Sequence, residues 1–116
     1  MIDIDSAEFE RLVIAQLDLL PDDVLDRLEN VAFVTEDRPE DGSLDLLGEY
    51  DGVDLTRRAD YGFGELPDRI VLYREPLLAV CADLEQLNVQ IHVTLVHEIG
   101  HYFGIDDAEL HDLGWG

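Results

Sequence analysis

The chain has 116 residues, with 7 arginines, no lysine and 28 Asp or Glu, which gives a formal net charge of −21. This length indicates one domain, residues 1–116, with enough buried surface for a core without disulfides. So acidic a chain is not expected to bind nucleic acids or membrane surfaces, because both attract basic groups. The N-terminus lacks a signal-peptide pattern and no apolar run reaches roughly 20 residues, so we expect a soluble cytoplasmic protein. Cys81, the single cysteine, lies in an apolar run and is interpreted as a core thiol rather than a nucleophile.

Helical periodicity predicts a first helix that is capped by Asp5 or Ser6 and ended by Pro21. Glu8, three residues after Asp5, completes a capping-box pattern. The apolar positions of this helix recur at helical spacing at Phe9, Leu12, Val13, Leu17 and Leu20. A short helical segment over residues 22–28 is predicted to follow.

Three strands are predicted over residues 31–35, 44–50 and 69–74, and the third is apolar on both faces. A loop over residues 36–43 joins the first two strands. A long polar connection, residues 51–67, separates the second strand from the third. Because helices precede and follow these strands, we expect an α+β domain whose small mixed sheet is covered by helices on one side.

Two longer helices are predicted after the strands. One covers residues 77–87, and the other is capped by Asn88 and runs to about Phe103, where Gly104 ends it. Residues 105–116 suggest a short acidic turn of helix.

The segment His97-Glu98-Ile99-Gly100-His101 carries the clearest chemical signal. Residues four apart on a helix project from one face, so both imidazoles can bind a single zinc ion. Glu98 is rotated by about 100° from His97, which places its carboxylate where it can take a proton from water at the metal. The alternative interpretation is that both histidines are solvated side chains of an ordinary amphipathic helix.

Two residues that follow this segment, Gly104 and Asp107, extend the pattern. Gly104 lies seven residues after His97, and Asp107 lies ten after it. In a chain of this composition the five-residue pattern arises by chance roughly once in 80 chains and the extended one roughly once in several thousand, so coincidence explains the match poorly. Gly104 can end the helix at positive φ and let Asp107 turn back as the third ligand, which leaves the fourth position for water.

Two faces of this predicted helix are expected to differ in their surroundings. An apolar stripe, expected to pack against the protein, contains Val89, Val93, Val96, Gly100 and Phe103. A second face is expected to open to substrate and contains Gln90, Thr94, His97 and His101. His92 lies about 220° around the helix from the ligands and is left out of the site.

Some roles stay open at this level. Asp106, Glu109 or His111 could replace Asp107 if the turn after Gly104 takes another course. His111 could also stabilise the oxyanion or orient a ligand, or simply be exposed to solvent. The donor to the reacting carbonyl oxygen could be any of Tyr50, Tyr61, Tyr73, Tyr102, Arg57 and Arg58, although packing is the favoured role of each tyrosine.

With these residues in view, the chain resembles the small bacterial zincin-like metallopeptidases that carry the HExxHxxGxxD motif. The likeness covers residues 46–107 and includes residues 47–52, Arg57 with Arg58, and residues 66–74. It implies a minimal zincin fold in which a small mixed sheet lies against the active-site helix and its edge strand holds an extended peptide. It also implies the zinc ligands His97, His101 and Asp107, with Glu98 as general base.

The sequence departs from larger relatives in two respects. Its only methionine is Met1, so the Met-turn of metzincins is absent. Few residues follow Asp107, so one wall of the substrate cleft is either missing or supplied by another chain.

These observations predict a zinc-dependent peptidase that cleaves a peptide or protein substrate and is restrained by narrow specificity or a regulatory protein partner. The alternative is a non-catalytic zincin-like protein-binding module with a structural or vestigial metal, whose acidic surface docks a basic partner. Hydrolysis of a non-peptide amide at the same metal is a third reading.

Overall fold

The computed structural model describes residues 2–28, 30–52, 68–105 and 108. The elements in these ranges are, in chain order, α1 (Ser6–Asp18), α2 (Asp22–Asp26), β1 (Val31–Glu36), β2 (Gly48–Asp51), β3 (Asp68–Tyr73), α3 (Arg74–Ala79) and α4 (Leu84–Tyr102). They confirm the expected α+β class. None of the described helices is both long and apolar enough to cross a membrane.

The three described strands form one mixed sheet in the order β1-β3-β2. The central strand β3 is parallel to β1 and antiparallel to β2, and its Ile70 is in register with both Phe33 and Tyr50. A backbone hydrogen bond from Asp68 to the carbonyl of Asn30 (2.9 Å) begins the pairing of β3 with β1. Among the described strands β2 has one neighbour, so it is an edge strand.

The hydrophobic core lies between one face of this sheet and the helices. Ile70 and Leu72 of β3 are fully buried there, and α1 and α4 supply their partners: Phe9, Val13, Leu87, Ile91 and Leu95. Burying each such side chain stabilises the fold by roughly 1.5–3 kcal/mol. Cys81 is 5 % exposed in the same core, and burial raises the pKa of its thiol, as expected of a packed cysteine.

The first helix begins as its sequence predicts. The Asp5 carboxylate accepts a hydrogen bond from the Glu8 amide (2.8 Å), which satisfies one of the unpaired donors of the first turn. The Glu8 carboxylate in turn accepts a hydrogen bond from Arg11 (2.7 Å). The helix ends at Asp18, shortly before Pro21.

The second strand is shorter than predicted. It begins at Gly48 rather than at residue 44, because local hydrogen bonds fold the preceding residues into a turn. The Ser43 amide donates to Asp41 Oδ1 (2.9 Å), and the Asp45 amide donates to Ser43 Oγ (3.0 Å). Such side-chain bonds compete with strand pairing.

The helix predicted over residues 77–87 is wrong, as is the cap at Asn88. The chain leaves α3 after Ala79, and α4 begins at Leu84 with Asp83 as its cap. Asp83 Oδ1 accepts from the Gln86 amide and Gln86 Oε1 accepts from the Ala82 amide, both at 2.8 Å. These two bonds stabilise a helix start five residues earlier than Asn88 would give.

Candidate metal centre

The last two turns of α4 bring His97, Glu98 and His101 together. One ligand atom from each side chain lies within 4.8 Å of those of the other two. The two imidazole rings have centroids 4.6 Å apart and an interplanar angle of 74°. The predicted convergence of both histidines therefore exists in the fold.

The Glu98 carboxylate makes a hydrogen bond within this cluster. Its Oε1 lies 3.0 Å from His101 Nδ1, the distance of a ring N–H donating to a carboxylate. With the proton on Nδ1, the lone pair is on Nε2, which is the tautomer that a metal ligand needs. A carboxylate that holds a ligating histidine in this way fixes both the tautomer and the ring orientation.

Burial differs across the cluster. The side chain of Glu98 is 8 % exposed, whereas that of His101 is 31 % exposed, and His97 is also half-buried. Two nitrogens bound to one tetrahedral zinc ion lie about 3.4 Å apart, given Zn–N bonds of about 2.0–2.1 Å. The candidate ligand atoms of the cluster lie within 4.8 Å of one another, so their separations are of the order that a shared metal ion requires. The donor set therefore fits a divalent metal at the outer side of the helix.

The structure confirms that Gly104 ends α4 at positive φ. Its φ is +81°, and its amide donates to the His101 carbonyl (3.0 Å). The Ile105 amide donates to the Gly100 carbonyl (2.9 Å), which completes a Schellman turn. The helix thus ends in a turn at Gly104, three residues after His101. Asp107 lies outside the described residues. So do its three alternatives, Asp106, Glu109 and His111.

The described tyrosines take packing roles. Tyr73 donates to Glu49 (2.9 Å), and Tyr50 donates to Asp68 (2.6 Å). Burial and the neighbouring Glu49 carboxylate raise the pKa of Tyr73. Tyr102 is fully buried and meets the Tyr50 ring edge-on. The other candidate oxyanion donors, Arg57, Arg58 and Tyr61, lie outside the described residues.

The faces of α4 differ from the prediction. The expected packed stripe is exposed in part, at 53 % for Val89 and 39 % for Val93, and the packed face instead carries Leu87, Ile91, Leu95 and Tyr102. Their successive spacings of four, four and seven residues follow one face of a helix and are the signal that could have identified this face. Thr94 was expected to open to substrate, but it is 6 % exposed and lies against Gly48.

His92 does not join the cluster, as predicted. It is exposed and lines an apolar groove of about 630 Å³, together with Val93, Val96, Ile99 and Phe103. The lining of this groove in the described residues includes none of His97, Glu98 and His101. The groove and the candidate metal centre are therefore on different flanks of the same helix.

Comparison with known proteins identifies the family. The model of the zincin-like metallopeptidase family matches residues 28–115, which is most of the chain. The protein therefore belongs to the zincin-like metallopeptidases, and its α+β architecture is the minimal zincin-like fold expected from the sequence. Membership implies a metal cofactor, for which the cluster on α4 provides donors.

A solved structure supports the same conclusion about the fold. A conserved hypothetical protein from Thermus thermophilus is 27 % identical, with a TM-score of 0.59 over 95 % of this chain and 97 % of that one. No curated protein matches the sequence.

Proposed function

We propose that the protein is a cytoplasmic zinc-dependent peptidase in which His97, His101 and Asp107 hold the metal and Glu98 is the general base. The observation that carries the proposal is the cluster on α4, where two reachable imidazoles adjoin a sheltered carboxylate. This combination suits hydrolysis better than surface solvation, because solvated histidines do not need a buried acid beside them.

The metal and the side chains of the protein supply different parts of the reaction. Bound zinc supplies a Lewis acid that polarises the scissile carbonyl and makes water more acidic. Glu98 accepts the proton of the attacking water and later passes it to the leaving amine. Its Oε1 is bonded to His101, so Oε2 is the oxygen that exchanges the proton. The Glu98 carboxylate is thus both sheltered from solvent and oriented by its hydrogen bond to His101.

The substrate is an extended peptide that pairs with β2. This strand has one neighbour among the described strands and passes beside Glu98 at Gly48. An edge strand offers backbone donors and acceptors to a peptide by strand addition. The net charge of −21 favours basic peptides over acidic ones. A cytoplasmic peptidase needs restraint, so we expect narrow specificity or a regulatory protein partner.

The test is cleavage of a peptide library by the zinc-loaded protein and by Glu98→Ala. At a zinc concentration that saturates both proteins, we expect the variant to lose activity by about 10²–10⁴-fold, the usual contribution of a general base. Glu85→Ala is the matched control, because Glu85 is an exposed glutamate in the first turn of the same helix.

Equal activity in wild type and Glu98→Ala would contradict the assignment of the base. Zinc binding and partner binding without cleavage of any library peptide would support the protein-binding module instead.

A further inference from the structure

The backbone of β2 touches α4 at Gly48. A Cβ atom placed on Gly48 would lie 2.6 Å from Thr94 Cγ2, 3.0 Å from the Val71 carbonyl oxygen and 3.5 Å from Glu98 Cγ. The first distance is shorter than side-chain atoms tolerate, so a larger residue must displace the Thr94 side chain, the strand or the helix. Gly48 lies in a regular strand, and the restriction is therefore steric rather than conformational.

Thr94 and Glu98 are four residues apart and so lie one turn apart on the same face of α4. Gly48 packs against both of them. Thr94 is a β-branched residue with restricted side-chain rotation, which makes its methyl group a firm contact. The β2 backbone thus approaches the methylene part of Glu98 with room for no large side chain between them, and the Glu98 carboxylate is hydrogen-bonded to His101 at 3.0 Å.

We propose that Gly48 and Thr94 are positioning residues that set the separation of β2 from α4 and thereby place the Glu98 carboxylate. The inference rests on the proposed function, since it assigns these two residues a part in the step that Glu98 performs. The same separation also fixes how far a peptide paired with β2 lies from the Glu98 carboxylate.

The expected consequence of disturbing this contact is a loss in turnover. A displacement of about 1 Å in a reacting group can cost about a hundredfold in rate. We expect Gly48→Ala to lower kcat by about 10- to 100-fold while KM and zinc affinity change by less than about threefold. The metal is expected to stay bound because none of the three closest contacts of a Cβ at Gly48 involves His97 or His101.

The test is rescue by a second substitution. Thr94→Ser removes Cγ2, the atom closest to a Cβ at position 48, and keeps the hydroxyl. We expect the double variant Gly48→Ala/Thr94→Ser to recover most of the lost kcat, and Thr94→Ser alone to lower kcat by less than Gly48→Ala does, because it loosens the contact without forcing the strand away. Recovery is expected to be incomplete, because the Val71 carbonyl at 3.0 Å still has to give way.

Gly52→Ala is the matched control for general damage to the strand. A Cβ at Gly52 would meet Asp68 Cγ at 2.5 Å, a clash of similar severity just beyond the other end of β2. We expect it to lower the melting temperature as Gly48→Ala does, but to leave kcat unchanged where the protein is folded. A kcat loss in Gly52→Ala equal to that of Gly48→Ala, or no recovery in the double variant, would overturn the proposal.

Crystal structures of wild type, Gly48→Ala and the double variant separate this proposal from the proposed function. If wild type cleaves no peptide, the proposed function fails, but the position of the Glu98 carboxylate still decides the inference. We expect it to move by about 0.5 Å or more in Gly48→Ala and to return in the double variant. An unmoved Glu98 carboxylate would overturn the positioning role whatever the activity.

Discussion

Among the described residues two carboxylates are buried beside β2, and they differ in their partners. Glu98 is 6 % exposed and Asp68 is 5 % exposed, and each lies against a glycine, Gly48 and Gly52 respectively. Asp68 accepts a hydrogen bond from the phenol of Tyr50 within the sheet. Glu98 is instead paired with a half-exposed imidazole that can bind metal.

The comparison shows that burial alone does not identify a catalytic acid. Both carboxylates have low exposure and a hydrogen-bond donor, as buried charges generally require. Glu98 adjoins two imidazoles that could hold a metal ion, whereas Asp68 is hydrogen-bonded to a tyrosine phenol of the sheet, and this difference in partners separates the two carboxylates. Asp68 instead joins the start of β3 to β2 and thereby stabilises the sheet.

The largest effect is expected for His97→Ala, which tests whether the cluster that contains Glu98 binds metal. Loss of one of the proposed protein ligands removes a metal bond, so we expect zinc affinity to fall by about a thousandfold or more. The measurement is zinc titration against a competing chelator, with the far-ultraviolet circular dichroism spectrum as a check on folding. His92→Ala on the same helix is the control and should bind zinc as wild type does. Equal zinc affinity in His97→Ala and His92→Ala would contradict the assignment of His97 as a ligand, and with it the distinction between Glu98 and Asp68.

The Asp68 side is tested by Asp68→Asn. This change weakens a charge-assisted hydrogen bond in a buried setting, and we expect a loss of about 1–3 kcal/mol in the free energy of unfolding. The measurement is urea denaturation, accompanied by kcat at a temperature where the variant is folded. We expect kcat to stay within about threefold of wild type. A large fall in kcat with unchanged stability would mean that Asp68, too, serves the reaction.

The smallest effect on stability is expected at an exposed carboxylate, that of Asp37. Comparing it with buried Asp68 tests how much burial matters. Hydrogen bonds from Arg74 and Ser6 lower the pKa of Asp37, whose side chain is 57 % exposed. A lowered pKa in the folded state stabilises the protein above the unfolded pKa of about 3.9, and this contribution is lost as the pH falls through the lower folded value. Because the pair is solvated, we expect Asp37→Asn to cost less than about 1 kcal/mol at neutral pH.

Urea denaturation from pH 7 to pH 3 checks this expectation. The difference between wild type and Asp37→Asn should be constant near neutral pH and shrink below about pH 4. Asp45→Asn, which makes the same change in charge at another exposed site, is the control. A difference that grows on acidification would show that the sign of the pKa shift is wrong.

Local features of the fold were predictable from the sequence. A helix cap at Asp5 or Ser6, β3 as a strand apolar on both faces and Gly104 as the helix end each depend on residues a few positions apart. The His97–His101 pair followed from helical spacing alone. The break between α3 and α4 was missed because Asp83 and Gln86 form a cap that the helical spacing of the neighbouring residues conceals.

Non-local features were not predictable in the same way. Thr94 has a polar side chain, and nothing in its own helix indicates that Gly48, far away in sequence, lies against it. The short extent of β2 depended likewise on side-chain bonds of Ser43 that compete with strand pairing. Contacts between distant elements require the packed structure, because spacing within one element carries no information about its neighbours.

The central claim is that the cluster on α4 binds zinc, and anomalous scattering at the zinc edge from crystals grown with zinc tests it most directly. We expect one strong peak about 2.1 Å from an imidazole nitrogen of His97 and from Nε2 of His101, with a carboxylate oxygen of Asp107 as the third ligand. An anomalous peak away from both imidazoles, or no peak at all in crystals of the folded protein, would contradict zinc binding by this cluster.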